Sequence, residues 1–341
     1  MVDLTDRIEH RRPPGRRAPG TSAVLAGTLL AGIAAIVVAR WATGTGYVPA
    51  PFGLPDPGPL TAIGLPAAQY VHELAGVAVV GLLFLRSFAL HGGAGPGGAH
   101  LLLMATRWAW LWMAATAAWI AFTMSELTGI PVGELPAHPD QLLAVTGTDR
   151  ILAELATLWI ALAVALLGAR LSGPVATGGA VLLATAALLP SALTGHAGHH
   201  ESPTLAVVML AVHLAAAAIW VGGLLALVIH LRPFPEQLTG AVRRFSTAAL
   251  LCVIAIGLSG VVESIVTLQT WTALWETNRG HLIIAKTLAL IVLASIGYLH
   301  RQRTVRPAGT GRLAPLLRLA AGELAIMGAT IGIAVVLSTT G

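Results

Sequence analysis

His213 lies in the apolar stretch Leu205 to Leu231, which is long enough to cross a membrane. Met209 precedes it by one helical turn, and His196, His199 and His200 stand just upstream around Gly195 and Gly198. An ionisable side chain inside a span is costly and is kept where it meets a partner, a cavity or a ligand. An imidazole and a thioether one turn apart share a helix face and form a soft ligand pair. That pair suits a transition metal, copper foremost. In the upstream run, His196, His199 and His200 fall on one face if the segment is helical, and adjacent imidazoles still converge in a turn. Neutral imidazole serves copper and zinc alike.

Other polar residues fall within apolar stretches. They are His72, Glu73, Glu154, Glu263 and Lys286, with His281 at an outer helix start. At about 1.5 Å of rise per residue, His72, His213, Glu263 and Lys286 all sit one and a half to two turns from the outer face. Glu73 and Glu154 fall in the same half. A shared level suggests a polar site opening outward, with His213, Met209, His72, His196, His199, His200, Glu263 and His281 as the candidate metal ligands. Glu263 and Lys286 are also spaced to pair between neighbouring helices. His91, His100, His230 and His300 fall on the inner side and read as interfacial. The serines within spans have no His/Asp set near them in sequence, so no nucleophile–base constellation is expected.

The elements that position these residues follow from composition. The chain has 341 residues, 56% hydrophobic and only 10% charged. Soluble domains carry about 25% charged residues, so a soluble domain is excluded. Nine apolar stretches approach the roughly 20 residues a helical span needs: 21–39, 67–89, 101–123, 141–168, 175–194, 205–231, 245–268, 281–299 and 317–338. They lack the alternation of barrel strands. The expected fold is an all-α, polytopic transmembrane helix bundle.

Charge sets the orientation. With the N-terminus cytoplasmic, the inner segments hold all 20 basic residues except Arg40, Arg150, Arg279 and the intramembrane Lys286. This asymmetry is the positive-inside pattern, and it places the C-terminus outside the cytoplasm. The basic excess is then a topological feature, and no nucleic-acid partner is implied. The single cysteine, Cys252, excludes an intramolecular disulfide and a Cys-x-x-Cys site.

Residues 1–20 read as a disordered basic cytoplasmic tail. Residues 21–200 hold the first five helices with outer loops, including an irregular Pro/Gly-rich cap at 40–66. Residues 201–341 hold the last four. A weak internal repeat relates Val71-His72-Glu73-Leu74-Ala75-Gly76 to Val212-His213-Leu214-Ala215-Ala216, with Gly81 and Gly222-Gly223 further inward. Repeats of this kind recur in transport folds.

Four elements in order carry a resemblance: His213 with Trp220-Val221-Gly222-Gly223, Arg244-Phe245-Ser246, Gly257-Leu258-Ser259-Gly260, and Gly280-His281-Leu282 with Lys286. Over about residues 205–303 the chain resembles the copper resistance D (CopD) membrane family. The resemblance implies a bacterial inner-membrane, multi-pass protein of eight or nine helices, concerned with copper import or resistance. It implies His213 as the intramembrane histidine and Lys286 as the polar residue of the penultimate helix. It also implies a separate periplasmic CopC-like copper chaperone.

The expected function is copper handling, with copper ion captured at the extracytoplasmic face and moved across the lipid bilayer. The expected class is transporter or metal-binding membrane protein rather than enzyme. The alternatives are a membrane cytochrome with His72 and His213 as axial ligands of haem b, and a copper-delivery or assembly factor. No Walker motif appears, which argues against ATP-driven pumping by this chain alone.

Overall fold

The computed structural model describes residues 19–51, 53–90, 95–189, 203–267, 271–300 and 313–339. Among these, every regular element is helical. Eleven α-helices follow in order: α1 (Thr21–Thr43), α2 (Gly58–Phe84), α3 (Pro96–Thr128), α4 (Pro139–Thr146), α5 (Asp149–Leu167), α6 (Gly173–Ala186), α7 (Pro203–Leu225), α8 (Pro235–Thr267), α9 (Ala273–Glu276), α10 (Asn278–His300) and α11 (Leu313–Thr339). The all-α bundle expected from composition is the observed architecture.

Seven helical stretches among the described residues are long and apolar enough to cross a membrane. They lie in α1, α2, α5, α7, α8, α10 and α11. The expected third span, 101–123, lies within the 33-residue α3, whose Arg107 and tryptophans make it less apolar than those seven. The expected span 175–194 is the 14-residue α6 as far as Ala186. The stretch 141–168 is two helices, because the chain turns at Gly147-Thr148 between α4 and α5.

The loop expected over 40–66 is shorter than the composition suggested, since α2 begins at Gly58. Pro59 is tolerated in the first turn, where its missing N–H has no helical partner to lose. Pro66 lies inside α2 and removes one backbone hydrogen bond. Glycine ends two other helices: Gly44 and Gly129 close α1 and α3 in the left-handed region, at φ 68 and 67.

The bundle is organised on α2, which packs on α3, α7, α6 and α11. From Leu74 to Leu83 it is buried throughout. Around it, α1 pairs with α11, α3 with α5, α7 with α8, and α10 with α11. Small residues allow the closest approaches. A methyl group added at Gly32 would fall on the Tyr70 ring, and one at Gly332 would fall on the Gly32 carbonyl. Hydroxyl bonds tie helix pairs within the apolar interior: Thr61 to Ser125 at 2.7 Å, Tyr70 to the Thr28 carbonyl at 3.0 Å, and Thr157 to the Ala187 carbonyl at 2.7 Å.

The expected repeat has a structural counterpart. Both α2 and α7 end in a five-residue π-turn, at Leu85–Ala89 and Ala226–His230. Each turn starts thirteen residues past the histidine of its helix. Each closes with an i to i+5 bond, Leu90 N–H to the Leu85 carbonyl at 3.1 Å and Leu231 N–H to the Ala226 carbonyl at 2.9 Å. Each is followed by a long helix, α3 or α8. The two copies meet at matched glycines, since a methyl group at Gly81 would fall on the Gly222 backbone and one at Gly222 on the Val77 carbonyl.

Candidate metal site

His72 and His213 are held in the same manner. His72, on α2, is 0% exposed, and its Nδ1 lies 2.8 Å from the Thr116 hydroxyl on α3. Trp119 and Trp112 pack on the ring at centroid distances of 4.7 and 6.1 Å. His213, on α7, is half-buried, and its Nδ1 lies 3.1 Å from the Ser259 hydroxyl on α8. The ring edge runs past Gly260 on the same helix. Each histidine therefore faces the helix that follows it in the chain.

The Ser259 contact brings a span serine to a histidine without making a Ser/His/Asp set. Sequence spacing hid it, because 46 residues separate the two. The pair is not arranged for nucleophilic chemistry. Ser259 Oγ lies 2.7 Å from the Ala255 carbonyl, which can only accept, so its hydrogen is committed to the helix backbone.

Met209 is half-buried on α7, one turn from His213, as the spacing predicts. His281, at the start of α10, uses Nε2–H to bond the Trp275 carbonyl at 2.8 Å, which ties it to the α9–α10 turn. Lys286 is half-buried on α10, and Glu263 lies on α8. His196, His199, His200 and His91 lie outside the described residues.

Glu154 is 1% exposed on α5 and belongs to a separate polar file on the α3–α5 seam. Its Oε1 accepts from Thr123 at 3.4 Å and lies 3.5 Å from Arg150 Nε. Arg150 in turn bonds Glu126 at 3.1 Å nearer the surface. Thr123 stands one turn from Trp119, so this file approaches the His72 pocket along α3. Glu73, beside His72, is half-buried on α2.

Two of the histidines expected on the inner side, His100 and His230, come together. Trp108 Nε1–H donates to His230 Nε2 at 3.0 Å, and the His100 ring stands 6.1 Å from that of His230. The π-turn that contains His230 carries this side chain inward against α3. A regular 3.6-residue spacing does not anticipate that rotation.

Among the described residues, no three His, Cys, Asp or Glu side chains converge as a metal cage. The ligands available at this level are imidazoles singly placed, with the Met209 thioether beside one of them. An imidazole with a thioether one turn away is a donor pair that suits a soft ion.

Residues 239–337 match the family model described as Copper resistance protein D. A stretch of 129 residues is 33% identical to the Copper transport protein CutJ of Bacillus subtilis (strain 168), covering 36% of this chain and 24% of that protein. The match thus spans about a quarter of the relative's length. No solved structure matches significantly. The segment that supplies Ser259 to His213 lies within residues 239–337, which match the copper resistance protein D family model.

Proposed function

We propose that this protein takes copper from the extracytoplasmic side of a bacterial inner membrane and moves it across the bilayer. One observation carries the reading. A histidine in a membrane span, one turn from a methionine, is hydrogen-bonded to a serine of the copper-resistance segment. The imidazole of His213 and the thioether of Met209 are the first ligands inside the membrane, and His72 offers a second imidazole at similar depth. The His196, His199 and His200 run captures copper at the outer face, where a separate CopC-like protein would deliver it. The similarity to a copper transport protein supports transport over catalysis.

The test is metal analysis of the purified protein after incubation with copper, with an optical spectrum of the same sample. The wild type retains copper and is free of a Soret band. Met209→Ala with His213→Ala retains less copper. Unchanged copper in the double variant refutes the site, and a Soret band lost in His72→Ala or His213→Ala assigns the histidines to haem instead.

A further inference from the structure

Thr116 and Ser259 do the same thing to two different histidines. A hydroxyl has one hydrogen to give and lone pairs to receive with. Thr116 Oγ1 lies 2.7 Å from the Trp112 carbonyl, one turn back on α3. Ser259 Oγ lies 2.7 Å from the Ala255 carbonyl, one turn back on α8. Carbonyl oxygens cannot donate, so both hydroxyl hydrogens are spent there. What each hydroxyl turns to its histidine is a lone pair, and what it meets is Nδ1, at 2.8 Å for His72 and 3.1 Å for His213. Nδ1 must then carry the hydrogen in both rings. In a neutral imidazole the lone pair is left on Nε2. His72 Nε2 is buried and has no hydrogen-bond partner among the described residues. Leaving a buried acceptor unmet is costly, and a ligand at that atom would recover the cost.

We infer that Thr116 and Ser259 are positioning residues that fix His72 and His213 as Nε2 ligands, in two matched sites of a duplicated unit. Residues 58–128 form one copy of that unit and residues 203–267 the other. The inference rests on the copper reading for the identity of the ligand, but its geometry does not depend on it. The copies agree in the spacing from histidine to π-turn, in the matched Gly81 and Gly222 contact, in the long following helix, and in the hydroxyl that meets the histidine. The first copy lies outside the segment 239–337 that the family match covers.

The copies differ in access. Trp112 and Trp119 flank Thr116 by one turn on either side, and they enclose His72. The corresponding positions about Ser259 are Ala255 and Val262, and His213 is half-buried rather than enclosed. His213 is therefore the accessible site and His72 the closed one.

The hydroxyls act as outer partners of metal-binding histidines commonly do. They set the tautomer, hold the ring plane and make the ligating nitrogen more basic, and losing such a partner typically costs about 10- to 100-fold in metal affinity.

The decisive measurement is the nitrogen NMR spectrum of the full chain, histidine-labelled with 15N, purified in detergent without copper at neutral to mildly alkaline pH. Signals of His72 and His213 are assigned by their loss in His72→Gln and His213→Gln. Both are expected as Nδ1–H tautomers. Ser259→Ala and Thr116→Val mix the tautomers of their partner histidine, and Ser259→Thr and Thr116→Ser preserve them. An Nε2–H tautomer at either wild-type histidine overturns the assignment. Copper retention is then measured on the same variants. Ser259→Ala is expected to lower it about 10-fold or more, with rescue by Ser259→Thr. Retention that neither Ser259→Ala nor Thr116→Val changes overturns the positioning role. A wild type that retains no copper removes the copper reading and leaves the tautomer result to be judged separately.

Discussion

Arg40 donates Nη1–H to the Ala62 carbonyl at 2.9 Å, and this is the carbonyl that Pro66 leaves without its helical N–H. The proline sits four residues on, where an ordinary residue would close the bond. Arg40, at the end of α1, replaces it and also donates to the Thr45 carbonyl at 2.7 Å. An arginine at the end of one helix thus repairs a break in its neighbour.

This relationship predicts a coupling. Arg40→Ala should destabilise the protein by about 1–3 kcal/mol, the cost of an unmet backbone acceptor. In a Pro66→Ala background the Ala62 carbonyl regains a helical partner, and Arg40→Ala should cost less. A double-mutant cycle on thermal unfolding in detergent measures the difference, expected at about 1 kcal/mol. Additive losses would show that Arg40 does not serve that carbonyl.

Gly222 admits no side chain. Its added methyl group would meet the Val77 carbonyl and stand 3.0 Å from the Gly81 Cα. The neighbour is backbone and cannot swing aside, so Gly222→Ala should cost at least the roughly 1–3 kcal/mol of an overpacked core. Gly257, on α8, has nothing within 4 Å of an added methyl group. Gly257→Ala should be neutral or stabilising. The melting temperatures of the two variants in one detergent provide the check.

Glu154 depends on Arg150 far more than Glu126 does. Glu154 is buried and Glu126 is exposed, and both lie within reach of the same guanidinium. Arg150→Ala should therefore cost about 1–3 kcal/mol by leaving a buried carboxylate poorly met, whereas Glu126→Gln should cost under about 1 kcal/mol. Adding Glu154→Gln to Arg150→Ala should recover part of the loss. Unfolding of the three variants by denaturant tests the order.

The loop between α1 and α2 carries a clamp that depends on pH. Asp56 accepts from the Tyr47 hydroxyl at 2.7 Å, from the Gly58 N–H at 2.9 Å and from the Ala50 N–H at 3.2 Å. The Tyr47 bond, then the Gly58 bond, holds the Asp56 carboxyl below its ordinary value of 3.8. The same bond to Asp56 is the main reason the Tyr47 phenol stands above 10.0. For Asp56 the stabilisation is complete above the ordinary carboxyl value and is lost as pH falls through the lower folded value. For Tyr47 it is complete below pH 10.0 and is lost as pH rises through the raised folded value. Ultraviolet titration should show one tyrosine ionising at lower pH in Asp56→Asn than in the wild type. An unchanged titration would refute the clamp.

Much of this protein was legible as a linear pattern. Apolar stretches of near-bilayer length specify a helical membrane protein, because a backbone in lipid must satisfy its own polar groups. The bias of arginines specifies an expected orientation, because charge is costly to translocate. His213, Met209 and His72 stood out as polar or soft groups against an apolar background, and the order of motifs from His213 to Lys286 pointed to the family that residues 239–337 match.

What the pattern could not specify is which groups meet. Thr116 and Ser259 are small hydroxyls among many, 44 and 46 residues from their histidines. Nothing local distinguishes them, because a serine in a span that bonds only its own helix has the same sequence signature. The clustering of Trp108, His100 and His230 depends on a π-turn, whose extra residue rotates the helix face and breaks the 3.6-residue period. Sequence alone determined that two histidines interrupt apolar stretches at matching distances from their helix ends. The packing of α2 on α3 and of α7 on α8 decided which hydroxyl meets the Nδ1 of each ring, because a hydrogen bond between helices depends on the rotation and register of both.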